Sequence, residues 1–66
     1  MEFGTINKKV SDRGFGFIKV GDGNEVFFHK SECLTLPFDS LTEGQEVAFD
    51  RESNERGPRA RNVRLK

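Results

Sequence analysis

The chain has 66 residues, seven of them phenylalanine, with one cysteine and eleven acidic against eleven basic residues. A domain of this size buries only about 60% of the surface that its unfolded chain exposes, so a large catalytic cleft is not expected. The single cysteine excludes an internal disulfide, and we find neither an apolar run of membrane-spanning length nor a signal peptide. These features predict one domain over residues 1–66, monomeric and cytoplasmic.

Turn residues divide the chain into five short segments with strand character, and helical periodicity is not sustained anywhere. We predict strands, in chain order, at 3–10, 15–20, 25–29, 46–51 and 60–65. The segments between them are predicted as turns at 11–14, 21–24 and 53–58 and a long irregular loop at 34–44. Three strands in a tight meander, followed by two more, predict an all-β fold that forms a small barrel.

Aromatic side chains are predicted to share one face of the second and third strands. Side chains at i and i+2 of a strand point the same way, so Phe15 and Phe17 share a face, as do Phe27 and His29. We call these four residues the aromatic face. Phenylalanine is more often a core residue, but the opposite, inward face is already supplied by Ile18, Val26 and Phe28. Flat rings exposed beside a cation such as Arg13 are typical of surfaces that stack unpaired bases.

The net charge of zero conceals an uneven distribution along the chain. Residues 1–20 carry +2, residues 21–55 carry −7 and residues 56–66 carry +5. If the two basic ends meet beside the aromatic face, they form a local basic groove despite the neutral total. The alternative for the basic C-terminal run is a solvated tail.

These motifs resemble those of a known family. A basic residue followed by Gly-Phe-Gly-Phe-Ile is similar to the start of the RNP1 motif of RNA-recognition domains, which also need two helices that this sequence does not predict. The all-β cold-shock domain uses similar motifs, and essentially the whole chain resembles the bacterial cold-shock proteins. The resemblance rests on Phe38 and on residues 4–6, 14–18, 26–29, 41–45 and 56–63.

The resemblance implies a five-stranded antiparallel barrel of the OB-fold type that binds single-stranded RNA and DNA. It also implies a role as an RNA chaperone or as a regulator of transcription or translation, without a cofactor, a small-molecule substrate or a membrane partner. Matching positions imply that bases stack on Phe15, Phe17, Phe27, His29 and Phe38. We expect contacts to phosphates or base edges from Lys8, Lys9, Arg13, Lys30 and Arg56.

The sequence departs from the family's pattern at three positions. Lys8 and Lys9 stand where the first strand of the family usually has Trp and Phe, and Lys30 stands where an aromatic residue is common. A stacked ring contributes on the order of 1–3 kcal/mol, whereas lysines return an attraction to phosphate that salt screens. We therefore predict weaker and more salt-sensitive binding than is usual in the family.

Other functions find less support in the sequence. The loss of the first-strand rings leaves open a degenerate barrel that binds a protein partner through its exposed Phe cluster. His29 and Cys33 alone do not supply the four ligands of a metal site, and no third group orients them as a catalytic pair. Cys33 is predicted to be a small buried hydrophobic residue, and we expect neither an enzyme nor a metal protein.

Overall fold

The computed structural model describes residues 1–21, 23–34, 37–55 and 57–66. Five strands form a closed barrel: β1 (Glu2–Val10), β2 (Phe15–Lys19), β3 (Glu25–His29), β4 (Glu46–Asn54) and β5 (Gly57–Leu65). Two short 3-10 turns lie between β3 and β4, at Lys30–Glu32 and Phe38–Ser40. In the described ranges no helix is long and apolar enough to cross a membrane.

The strands follow the order β1-β2-β3-β5-β4 around the barrel, and β4 returns to β1. The barrel can close because β1 takes part in two pairings: Thr5 is opposite Lys19 of β2 and also opposite Glu46 of β4. The register of β1 shifts between Ile6 and Lys8, and such a bulge bends a strand. The predicted five-stranded barrel is confirmed, and its closing contact, between β3 and β5, is parallel.

Strand alternation explains which side chains fill the barrel. Val26 and Phe28 of β3 are fully buried, whereas Phe27 between them is half-buried and lies on the outer surface. On β4, Val47 and Phe49 are fully buried, as their spacing predicted. The core consists of Ile6, Ile18, Val20, Val26, Phe28, Phe38, Leu41, Val47, Phe49, Ala60 and Val63.

The hairpin of β4 and β5 is longer than predicted. We interpreted residues 53–58 as a turn because they contain Gly and Pro, but the pairing of the two strands continues to Asn54 and Gly57. Gly57 has a φ of 112°, a left-handed conformation that glycine adopts without steric cost and that allows a tight connection. Leu65, predicted on the same side as Val63, is the last residue of β5 and remains 42% exposed.

Candidate nucleic-acid interface

The outer surface of β1, β2, β3 and β5 carries a continuous row of two rings between two cations. The row consists of Lys8, Phe17, Phe27 and Arg59, each opposite the next on the neighbouring strand. Side chains directly opposite each other in a sheet lie on the same face and within contact range. The sheet therefore places a cation at each end of an aromatic pair.

The three phenylalanines of the aromatic face contact one another. The ring centroids of Phe15 and Phe27 are 5.5 Å apart, and Phe17 lies 6.0 Å from each of them. Phe17 stands nearly perpendicular to Phe15, at 85°, an edge-to-face arrangement that aromatic pairs favour. All three side chains are half-buried, so each ring is fixed by its neighbours and still reaches the surface. The prediction that these rings face outward is confirmed.

His29 extends the aromatic face next to Phe15, its partner across β2 and β3. Its ring is oriented by the turn that follows: Nδ1 accepts a hydrogen bond from the backbone N–H of Ser31 at 3.2 Å and lies 2.9 Å from the Ser31 hydroxyl. This is the N-cap of the Lys30–Glu32 turn. The imidazole is thereby held in one orientation beside the phenylalanines.

Arg13 and Lys30 both adjoin Gly14, the residue before Phe15 of the aromatic face. Gly14 adopts a φ of 74° in the turn that follows β1, and the aliphatic stem of Lys30 lies over it, 2.8 Å from where a Cβ would stand. The backbone N–H of Lys30 donates to the carbonyl of Gly14 at 2.8 Å. Both charged side chains are exposed. Within the described part of the chain, Arg13, Lys30 and Lys8 form no ion pair, so their charges remain available.

Most of the basic C-terminal run is paired with acids rather than directed at the aromatic face. Arg61 lies 3.0 Å from Glu52, and Lys66 lies 3.2 Å from Glu46. Exposed pairs of this kind add little stability, but they neutralise the local field. Of the two basic ends, only Lys8 of β1 and Arg59 of β5 stand beside the aromatic face, at opposite ends of the row and with β2 and β3 between them.

Arg59 lies beside the aromatic face and was not predicted from the sequence. It is opposite Phe27 across the parallel β3–β5 contact, is half-buried, and places a guanidinium nitrogen 3.8 Å from Glu32. Its Nε is buried without a hydrogen-bond partner. The closure of the barrel brings β5 beside β3. The alternation of residues along each strand does not predict which strands are neighbours, so it could not place Arg59 next to Phe27.

Lys9 and Phe38, both predicted to contact nucleic acid, do not lie on the outward row of the aromatic face. Phe38 is 7% exposed and packs against Phe28, with ring centroids 5.8 Å apart, so it belongs to the core. Lys9 is opposite Gly16, which in turn is opposite Phe28, on the face that points into the barrel. Neighbouring residues of a strand point to opposite faces, and Lys8 and Lys9 therefore have different surroundings. Arg56, the remaining predicted contact, lies outside the described residues.

Cys33 is partly buried and packs against the core, as predicted for a small hydrophobic residue. Burial raises the pKa of its thiol, the charge of Glu32 raises it further, and Lys9 opposes the shift. A thiol acts as a nucleophile or metal ligand in its ionised form, which this environment disfavours. We therefore assign Cys33 a packing role.

The similarity of the chain to known proteins agrees with this geometry. Residues 2–66 match the family model of the 'Cold-shock' DNA-binding domain. The chain is 51% identical to cold shock protein 1 of Lactiplantibacillus plantarum, over 96% of either chain. It is 55% identical to the cold shock-like protein CspE of Bacillus anthracis, over 89% of this chain and 94% of that protein. It is also 46% identical to the major cold shock protein of Streptococcus pyogenes serotype M6, over 96% of this chain and 94% of that protein.

The barrel, the outward rings and these similarities lead to one assignment. The chain belongs to the cold-shock domain family, a family of nucleic-acid-binding domains.

Proposed function

We propose that this protein binds single-stranded RNA and DNA without catalysing a reaction, by stacking unpaired bases on the aromatic face. One observation carries the proposal: Phe15, Phe17 and Phe27 contact one another on the outer surface, at centroid distances of 5.5–6.0 Å, and cations stand around them. Every base has a π-face, so such a surface accepts many sequences. A base inside a duplex is already stacked, and the surface therefore favours single strands.

The positions of the cations around the rings support contacts between these cations and phosphates. Lys8 and Arg59 stand at the two ends of the row that contains Phe17 and Phe27, and Arg13 and Lys30 stand beside Phe15. A base stacked on a ring brings its own phosphate to within reach of one of these cations. Since each phosphate contact releases counterions, binding should weaken with salt. With lysines where the family usually has rings, we expect the salt dependence to be steeper than is usual in the family.

The proposed activity needs no chemistry and no ATP. A protein that binds only the unpaired form shifts a duplex–coil equilibrium towards that form by mass action. Such a protein removes unwanted structure from RNA, as an RNA chaperone does, or exposes and covers regulatory segments in transcription and translation. We propose that it acts as a monomer in the cytoplasm, and the unpaired thiol of Cys33 fits the reducing conditions there.

A titration with a short thymine-rich or uracil-rich oligonucleotide, followed by chemical-shift mapping, tests the proposal. We expect the largest shifts in residues 13–30, at Lys8 and at Arg59, and weaker binding of a duplex of the same sequence. Shifts that are absent, or that centre on the exposed Phe3, would contradict it. In that case the alternative, a barrel that binds a protein partner through its exposed Phe cluster, becomes the better reading of the aromatic face.

A further inference from the structure

Lys9 joins β1 to the segment 37–43 through three contacts. Its ammonium donates a hydrogen bond to the carbonyl of Leu41 at 2.6 Å and stands 5.0 Å from the centre of the Phe38 ring. Its backbone N–H donates to the carboxylate of Glu43 at 3.2 Å. The side chain is half-buried. Lys9 was predicted to contact phosphate, but it contacts other residues of the protein instead.

The segment that Lys9 contacts holds Phe38 inside the protein. The Phe38 ring packs on Phe28 beneath the aromatic face, and Leu41 is also buried, at 3% exposure. The 3-10 turn between them is closed by backbone hydrogen bonds from Ser40 to Pro37 at 2.9 Å and from Leu41 to Phe38 at 3.1 Å. The ammonium of Lys9 thus contacts both the Phe38 ring and the carbonyl of Leu41, the residue that caps this turn.

We infer that Lys9 is a positioning residue: it keeps Phe38 in the core and so limits the stacking surface to the aromatic face. The inference rests on the proposed function, and it assigns Lys9 a role different from that of its neighbour Lys8. To bind a phosphate, Lys9 would have to give up both the Leu41 carbonyl and the Phe38 ring, since it lies on the inward-facing row. Lys8 has no such engagement within the described residues and can meet a phosphate directly.

The two roles predict opposite results for the same substitution. If Lys9 only holds the segment, Lys9→Met removes the hydrogen bond and the cation–π contact and releases Phe38 as a further stacking ring. The affinity for a six-nucleotide thymine strand should then stay the same or rise by up to about fivefold, the low end of what one stacked base contributes. The slope of log affinity against log salt should not change, because no phosphate contact is lost.

Lys8→Met is the matched control, since it removes the same charge from the adjacent position. Its affinity for the six-nucleotide strand should fall, and the salt slope should decrease by about 0.7, the value for one phosphate contact on a single strand. If Lys9→Met lowers affinity and slope in the same way as Lys8→Met, Lys9 is a phosphate ligand and the inference is overturned. Ring resonances of Phe38 that shift strongly when the unmodified protein binds the strand would also overturn it.

Amide hydrogen exchange tests the positioning role without any ligand. Lys9→Met should speed exchange of the Leu41 amide, which is hydrogen-bonded within the turn, by several-fold or more, whereas Lys8→Met should not. Lys9→Arg keeps a cationic donor and should restore slow exchange. An unchanged Leu41 rate in Lys9→Met would contradict the inference. If the unmodified protein binds no single strand at all, the proposed function fails, and this exchange measurement still decides what Lys9 does.

Discussion

Two surfaces of the barrel present phenylalanine side chains, and they differ in the exposure of the rings, in the contacts between rings and in the charges beside them. Phe3 is 53% exposed, more than any ring of the aromatic face, and lines a groove of about 310 Å³ together with Thr5, Lys19 and Lys66. Among the described residues, the ammonium of Lys66 lies 5.6 Å from the centre of the Phe3 ring, and that ammonium also pairs with Glu46 at 3.2 Å. On the aromatic face, three less exposed rings contact one another, and Lys8, Arg13 and Lys30 near them form no ion pair within the described residues.

The comparison teaches that exposure of a ring does not by itself make a binding surface. A lone ring moves freely, and a ligand that stacks on it must immobilise it at an entropic cost. Rings that pack edge to face are already fixed, so stacking on them costs less. Charge adds to the difference, because the cation beside Phe3 is shared with a carboxylate, whereas Lys8, Arg13 and Lys30 can attract phosphate.

The largest expected effect is a loss of affinity when a ring of the aromatic face is removed, compared with the removal of Phe3 from the other surface. Phe27 contacts both Phe15 and Phe17, so Phe27→Ala removes one stacking ring and leaves the other two with only their contact to each other. We expect the affinity for a thymine-rich single strand to fall about 5- to 150-fold, the range for one stacked base. Phe3→Ala is the control, because it removes a more exposed ring from the other surface. Binding isotherms at one salt concentration measure both.

Equal affinities for the two variants would contradict the assignment of the aromatic face. Circular dichroism should show that both variants keep the barrel, since neither Phe3 nor Phe27 belongs to the core cluster. A fall in affinity for Phe3→Ala alone would move the site to the groove around Lys66.

The two surfaces also differ in how closely other atoms approach the backbone beneath them. We expect this difference to appear in the free energy of unfolding. Gly16 lies between Phe15 and Phe17, and a Cβ there would stand 2.6 Å from the carbonyl oxygen of Lys8 and 2.7 Å from the Phe28 ring. Gly16→Ala should therefore lower the free energy of unfolding by about 1–3 kcal/mol, the usual cost of overpacking. Urea denaturation measures this change.

Gly21, which lines the Phe3 groove, is the matched control. A Cβ there would meet nothing within 4 Å, so Gly21→Ala should leave the urea midpoint unchanged or raise it slightly. The same midpoint for both variants would mean that the close approach of β1 and Phe28 to Gly16 does not constrain the aromatic face.

Much of the aromatic face follows from alternation along single strands. Phe27 lies outside and Phe28 inside because neighbours on a strand face opposite ways, and glycines in the turns mark where the strands end. The same rule separates Lys8 from Lys9, but both were assigned to phosphate on charge alone. Counted from the buried Ile6, a strict two-residue period would place Lys8 inside and Lys9 outside. The bulge between Ile6 and Lys8 reverses this, and the sequence pattern does not reveal the bulge.

The remaining features depend on contacts between distant parts of the chain. Arg59 reaches Phe27 only because the barrel closes with a parallel β3–β5 contact. Phe38 is buried because its loop folds back over Phe28, and a hydrophobic residue in a loop can equally well face a partner. Short-range patterns carry no information on either contact, so the limits of the site could be found only in three dimensions.

The smallest expected effect tests whether a cation must lie beside the aromatic face to contribute to binding. Lys30 is exposed beside Arg13 and the aromatic face, whereas Arg51 lies on β4 and pairs with Glu2 at 2.8 Å. Lys30→Gln and Arg51→Gln remove the same charge, so any long-range effect on binding should be equal. Only Lys30→Gln should reduce the slope of log affinity against log salt, by about 0.7 if Lys30 contacts one phosphate. Titrations between low and moderate salt give both slopes, and identical slopes would mean that attraction comes from net charge rather than from cations placed around the rings.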